Sequence, residues 1–501
     1  MKKSKLYKNI ITGFGGQLLA IILGLIVPRL FITSYGSDVN GLLSTISQVF
    51  SYLGLLEAGI GQAARNLLYK PFQEKDKNGI SEIASMAQAY FRKFTILYGL
   101  GVVLLAILMP FLVKSNVSSI SITLIVAFEG MAGVISFYFI EIPSIVFAVD
   151  GKSYVNNEIG LMNRIVGYVV RIVMASLGLN IILLQFVFFL VTVAKVVFYQ
   201  AYFRKHYYWI KFTKTGKGIK LKDRNSYIVT EICWTIFSST DMIVLSTFIS
   251  TQMSSVYGVY NMIFANISLL LNSVYNSVTY LLGQTYHESK EKYIKLHDIF
   301  NSVFFGLMTA LMMVCHFLTI PFVSIYTKGV IDVNYIYESL PMMFCLVQLL
   351  SWSRYVSGNL IGVAGRVRKA VWVNILEAAI NLVCSIFFVQ KFGIVGVLFA
   401  TVMALPVKLI YCNYVSDTII LNRSCWNTIK ILVTNFLLYF AAVYFQTFIH
   451  IEINSYLSFA VYGIGLSILF IALVMVINAL INPYMLRMGL KLLKKNNSLE
   501  K

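Results

Sequence analysis

Fourteen long apolar segments, separated by short polar loops, run from Ile10 to Asn482. They fall near 10–34, 39–63, 87–112, 120–148, 155–178, 180–202, 227–250, 254–284, 298–326, 337–363, 371–390, 393–413, 428–449 and 455–481. A hydrocarbon core of ~30 Å takes roughly 20 apolar residues to span as a helix. The first segment has that length and a single charge, Arg29. Helices are predicted because an open sheet leaves backbone groups unpaired in lipid and barrel strands are shorter than these segments. The outward turns are short: Tyr35–Val39, Leu177–Ile181 and Ser250–Ser254, with the longest loop around Tyr326–Glu338. Pro28, Pro110, Pro143, Pro341 and Pro406 mark candidate bends within the spans.

The pattern repeats. Gly151-Lys152 after span 4 matches Gly365-Arg366 after span 10, an offset of 214; Lys195 in span 6 matches Lys408 in span 12, an offset of 213. Gly61-Gln62 and Gly283-Gln284 close spans 2 and 8 at a slightly larger offset. Three matches in order predict two six-helix halves of the same orientation, related by an axis along the membrane normal. The expectation is therefore an all-α integral membrane protein of about fourteen transmembrane helices. Its two six-helix bundles are related by pseudo-two-fold symmetry, with two extra C-terminal helices. The corresponding divisions are 1–226, 227–427 and 428–501.

Composition agrees with this solvent. Hydrophobic residues make up 58% of the chain and charged residues 12%, against about 25% charged in soluble domains; mean hydropathy is +0.76. Of 501 residues, none are left over for a soluble catalytic domain. The net charge of +20 would suit nucleic acid, but its placement points elsewhere. With loops assigned to alternating sides, 32 of 41 Lys and Arg fall on one side and three on the other (Lys114, Lys328, Lys391). This bias predicts both termini in the cytoplasm. The densest basic stretch, Arg204 to Arg224, reads as a topology anchor, with an anionic-lipid site as the second reading. The N-terminal segment reads as a retained span and not a cleaved signal. Six dispersed cysteines form no CxxC pair and read as small apolar residues, so neither a metal site nor a cofactor is expected.

Charges inside the spans carry the candidate chemistry, because an ionised side chain at the bilayer centre costs ~2.5–3.5 kcal/mol and usually faces a cavity or a partner. Arg29, Arg164, Arg171, Lys195, Arg354 and Lys408 lie within spans. Arg29, Arg171 and Arg354 are the candidate substrate-binding residues of a hydrated cavity; for Arg29 and Arg171 snorkelling to the interface is the alternative. Glu57, Glu129 and Asp241 are the candidate ion-pair or coupling residues, against plain helix-packing or hydrogen-bonding roles. No GxSxG, HExxH or Walker A sequence occurs, and the five histidines are dispersed. The chain therefore lacks the signature of an enzyme and of an ATP-driven pump, and no catalytic residue is assigned.

Two segments resemble a known family. Thr33 to Pro71, TSYGSDVNGLLSTISQVFSYLGLLEAGIGQAARNLLYKP, is similar to the first hairpin of bacterial polysaccharide flippases. Ser239 to Met262, STDMIVLSTFISTQMSSVYGVYNM, resembles the start of that family's seventh helix and the turn into its eighth. These flippases belong to the multidrug/oligosaccharidyl-lipid/polysaccharide exporter superfamily, with the multidrug extruders and the lipid II flippase. The first span departs from the lipid II flippase pattern: Val27-Pro28 precede Arg29, where that family carries Arg-Asp earlier in the helix.

The resemblance implies a transporter of the bacterial cytoplasmic membrane. It would move undecaprenyl-pyrophosphate-linked O-antigen, capsule or teichoic-type repeat units from inner to outer leaflet by alternating access. It implies the lipid-linked oligosaccharide and membrane lipids as partners, with polysaccharide polymerase and glycosyltransferases beside it and no nucleic acid. The Gly-rich first span (Gly13, Gly15, Gly16, Gly24) is a candidate bendable gate, with close helix packing as the alternative. The rival readings are an ion-coupled multidrug exporter, which would favour an acid in span 1, and a polytopic enzyme of polysaccharide assembly, which would need larger outer loops.

Overall fold

The computed structural model describes residues 2–55, 60–212, 224–448, 453 and 455–487. The helices run α1 (Lys2–Gly54), α2 (Ile60–Glu74), α3 (Lys77–Leu112), α4 (Ser119–Phe139), α5 (Glu141–Val149), α6 (Ser153–Ser176), α7 (Ile181–His206), α8 (Arg224–Phe248), α9 (Thr251–Glu288), α10 (Lys290–Tyr326), α11 (Ser339–Trp352), α12 (Tyr355–Val363), α13 (Val371–Tyr414), α14 (Trp426–Gln446) and α15 (Tyr456–Ile481). Among the described residues no strand occurs, and ten stretches are long and apolar enough to cross a membrane. Two of the ten are double spans folded at a glycine. Gly36 breaks α1 (φ 86°, ψ 164°) and Gly393 breaks α13 (φ 58°, ψ −135°), backbone conformations costly for any side chain. With α8 and the pair α11–α12, every one of the fourteen apolar segments has its helix. The protein is a multi-pass membrane protein.

Spans 4 and 10, each read from the sequence as one segment with a candidate bend at Pro143 or Pro341, are each broken into two helices. In span 4 the break falls at Ile140, between α4 and α5. Pro143 supplies the reason: without an N–H it leaves the Phe139 carbonyl unpaired, and Gln200 Nε2 of α7 donates to that oxygen at 2.6 Å. Span 10 breaks at Ser353-Arg354, where Ser353 Oγ donates back to the Leu350 carbonyl at 2.9 Å, a bond that bends helices. The helices that follow, α5 and α12, have nine residues each and are separated by 214 positions. Both end alike. Gly151 (φ 70°) and Gly365 (φ 69°) are left-handed, and Lys152 N and Arg366 N donate to the carbonyls of Phe147 and Ile361 at 2.8 and 3.0 Å. The same glycine-closed helix end thus stands at both copies of the sequence repeat.

The chain divides into two compact units, Met1–Ser255 and Val256–Lys501. In the first, α4 packs on α3 and α7, and α1 on α6 and α8. Gly130 and Gly133 let α3 lie close to α4: a Cβ there would come within 2.3 Å of Val102 and 2.5 Å of the Tyr98 hydroxyl. At one end Asp38 ties three turns together. It accepts from Thr251 Oγ1, from Asn116 N at 2.6 Å and from Ser115 Oγ at 3.2 Å. Gly41 permits the approach, since a Cβ would fall 1.7 Å from the Thr251 carbonyl oxygen. At the other end Tyr207 donates to Asp150 at 2.7 Å, and burial followed by that bond pushes its hydroxyl pKa well above the ordinary value.

In the second unit α10 is the central helix, packed on α11, α14 and α15 and mostly buried. Asn435 and Asn478 exchange amide hydrogen bonds at 2.8 and 3.0 Å between α14 and α15. A π-helical turn, Val415–Ile420, follows α13 and presents Asp417 to Arg423. Arg423 forks onto both Asp298 oxygens (2.8 and 2.7 Å) and onto Asp417 (2.8 Å), whose other oxygen accepts from Thr428 at 2.5 Å. Burial opposes the charge on Arg423, but the bonds and charges of Asp298 and Asp417 outweigh it and hold its pKa above the usual arginine value. This network fixes the start of α14 against α10.

Candidate functional site

The break at Ser353-Arg354 turns the arginine side chain into the second unit and not toward its surface. Arg354 is 4% exposed and Glu377, on the first half of α13, is also 4% exposed. Arg354 Nη1 donates to Glu377 Oε1, and Lys408 Nζ, on the second half of α13, lies 3.7 Å from Glu377 Oε2. Two cations therefore share one carboxylate, leaving one unit of positive charge among three apolar spans. A low-dielectric surround strengthens each of these interactions, so an excess charge here favours an anion strongly. Glu377 is the functional candidate that sequence reading missed.

The first unit carries a related set. Glu141 opens α5, Arg164 lies on α6 and Lys195 on α7; Lys195 is within electrostatic range of both. Adding 213 to these positions gives Arg354, Glu377 and Lys408. That offset was already legible from Lys195 and Lys408, so applying it to the other span charges would have found Glu141 and Glu377. Each set holds two cations and one acid, but acid and base change places between the helix break and the following span. Lys195 and Asn163, whose Oδ1 is buried without a hydrogen-bond partner, also line a groove of about 340 Å³ along α6 and α7. Met162, Val166, Leu190 and Phe198 wall it.

Of the remaining predicted residues, Arg171 on α6 stacks on Phe188 of α7, its guanidinium carbon 3.8 Å from the ring centroid, with the Phe31 ring of α1 at 5.9 Å. Its Nε is buried without a hydrogen-bond partner. Glu129 on α4 lies within electrostatic range of Arg171 and of Tyr98, so the structure brings Arg171 and Glu129 together. Arg29 is half-buried on α1, the helix that packs on α6. Asp241 is buried on α8 beside Thr240, which shares a 2.6 Å hydrogen bond with Tyr52 of α1. Glu57 lies outside the described residues. No group of three His, Cys, Asp or Glu among the described residues is placed to hold a metal ion.

No protein-family model matches the chain, and no curated protein matches it in sequence. Solved structures do match its fold. The lipid II flippase MurJ, in an inward closed conformation, superposes with a TM-score of 0.64 at 14% identity, covering 92% of this chain and 98% of that one. An inward-facing multidrug resistance MATE family transporter of the MOP superfamily gives 0.58 at 12% identity, over 79% and 94%. A MOP superfamily transporter from Pyrococcus furiosus gives 0.55 at 11% identity, over 84% and 97%. The chain has the fold of these transporters over most of its length.

Proposed function

We propose that the protein is a flippase that moves undecaprenyl-pyrophosphate-linked oligosaccharide repeat units from the inner to the outer leaflet of the bacterial cytoplasmic membrane, by alternating access, for surface polysaccharide synthesis. One observation carries the reading: Arg354 and Lys408 share Glu377, so three otherwise apolar spans enclose two cations and one acid. The physical problem of such a substrate is its head. Sugar hydroxyls and diphosphate charges oppose crossing hydrocarbon, whereas the polyprenyl tail is at home there. A guanidinium answers that problem because it keeps its charge and donates bidentately to phosphate oxygens. In this reading Arg354, Arg171 and Arg29 draw in the diphosphate. Glu377 keeps Arg354 oriented between cycles and yields it to the phosphate when substrate arrives. Glu129 plays the corresponding part for Arg171, whose open Nε is a donor in waiting. The protein rearranges the lipid between leaflets and breaks no bond in it, so no residue acts as a catalyst.

The test is reconstitution into vesicles with a fluorescent undecaprenyl-diphosphate oligosaccharide, followed by leaflet-specific quenching. Transfer between leaflets without change in the lipid's chemistry is expected, and it should fall at least tenfold in Arg354→Gln/Glu377→Gln, which removes the guanidinium while leaving the net charge of the trio, now carried by Lys408 alone, unchanged. Full transfer by that variant would remove Arg354 from the substrate site. Chemical conversion of the lipid would make the protein an enzyme. A drug-sensitive deletion strain with intact surface polysaccharide would favour the multidrug exporter.

A further inference from the structure

Helices α14 and α15 lie outside the repeated segments and have no part in the sites above. Where α14 begins and α15 ends, a cavity of about 310 Å³ opens on the second unit. Lys430, Arg487, Asn427 and Tyr484 line it. Among the described residues neither Lys430 nor Arg487 forms an ion pair, and Lys430 lies 5.8 Å from the centroid of the exposed Trp426 ring. Asp298, the one acid in the wall, is already held by both arms of Arg423. The floor is fixed in advance. Asn482 donates to the Asp298 carbonyl at 2.9 Å and to Ser302 Oγ at 2.7 Å, and accepts from Tyr484 N at 3.1 Å.

We propose that this cavity binds the phosphate headgroup of an anionic glycerophospholipid. Counting Asp298, Asp417, Arg423, Lys430 and Arg487 together, the charged groups at and behind the cavity carry one net positive charge, so an anion is the complementary ligand. Trp426 and Tyr484 are the aromatic types that sit at headgroup level. Ile431 and Ile481 complete the wall on the apolar side. From there each helix continues as an exposed apolar stripe: Ile429, Val433 and Leu437 on α14, and Leu473, Val476 and Leu480 on α15. Those spacings of three and four residues put each stripe on one helix face. A phosphate at Lys430 and Arg487 thus has an acyl path beside it, which a free anion would not use. The face is the one that the Lys and Arg bias assigns to the cytoplasm.

Native mass spectrometry of the full-length protein in detergent, with phosphatidylglycerol or phosphatidylcholine of identical chains as probes, tests the assignment. Retention of phosphatidylglycerol over phosphatidylcholine is expected, falling about fivefold for each cation removed in Lys430→Gln and Arg487→Gln. Lys430→Arg/Arg487→Lys should keep the preference, which separates lost charge from lost folding. Lys70→Gln/Lys75→Gln, at exposed positions at the end of α2, should leave it unchanged. Equal retention in the Lys430→Gln/Arg487→Gln variant, an equal loss in the Lys70 and Lys75 variant, or displacement by millimolar inorganic phosphate would overturn the proposal.

Discussion

The pairing of Arg354 with Glu377 makes a sharp prediction because the first unit carries acid and base in the opposite order. Both side chains are about 5% exposed, and Lys408 adds a second cation 3.7 Å from the same carboxylate. Glu377→Ala would leave two cations facing each other with nothing between them. Breaking a buried pair in this way costs roughly 3–5 kcal/mol. The Lys408–Glu377 attraction at that distance, taken with an effective dielectric near 20, is itself on the order of 4 kcal/mol. Glu377→Arg should be worse, with three cations together, and Arg354→Glu should strand two acids on Lys408. The exchanged variant Arg354→Glu/Glu377→Arg restores one acid and two bases in the order Glu141, Arg164 and Lys195 already use. It should recover most of the loss. The assay is thermal unfolding of the detergent-solubilised protein, read as the fraction running monodisperse on gel filtration after heating. A double-mutant coupling of at least 2 kcal/mol is expected in urea titration of the same set. If the exchanged protein is no more stable than Glu377→Arg, the pair does not hold these helices and the reasoning fails.

Three further outcomes follow from the packing. Gly41→Val drives a side chain into the Thr251 carbonyl, backbone that has no room to yield, so folded yield should collapse while Gly24→Ala, with open space around it, is tolerated. Gln200→Leu removes the donor that pairs the Phe139 carbonyl at the span 4 break; a stability loss of about 1–3 kcal/mol is expected, and an unchanged unfolding midpoint would contradict the account of that break. Arg423→Ala strands Asp298 and Asp417, at a cost of roughly 3–5 kcal/mol. Arg423→Lys should recover little of it, because an ammonium cannot reproduce the fork that serves two carboxylates at once; equal midpoints for Arg423→Lys and the native protein would refute this.

The sequence by itself determined the fourteen spans, the short turns and the repeat. Hydrocarbon demands a continuous apolar run for every crossing, so length and hydropathy suffice to count helices. The turn at Tyr35–Val39 was legible for the same reason, since only a polar, flexible interruption can separate two such runs; that Gly36 and Gly393 carry the folds of α1 and α13 came from the backbone. Pro143 announced a bend, yet its partner was invisible, because Gln200 comes to the Phe139 carbonyl from a helix sixty positions away. The charges divide in the same manner. Arg354, Arg171 and Glu129 stood out because a charge in a span is costly wherever it points. What each one faces depends on which helices pack together, and only the tertiary structure decided that Arg354 belongs to Glu377 and Lys408, or that Arg171 lies on Phe188. Asp298, Asp417 and Arg423 were silent in the sequence, since they are spread over 125 positions and become one network only where α10, the π-helical turn and the start of α14 converge.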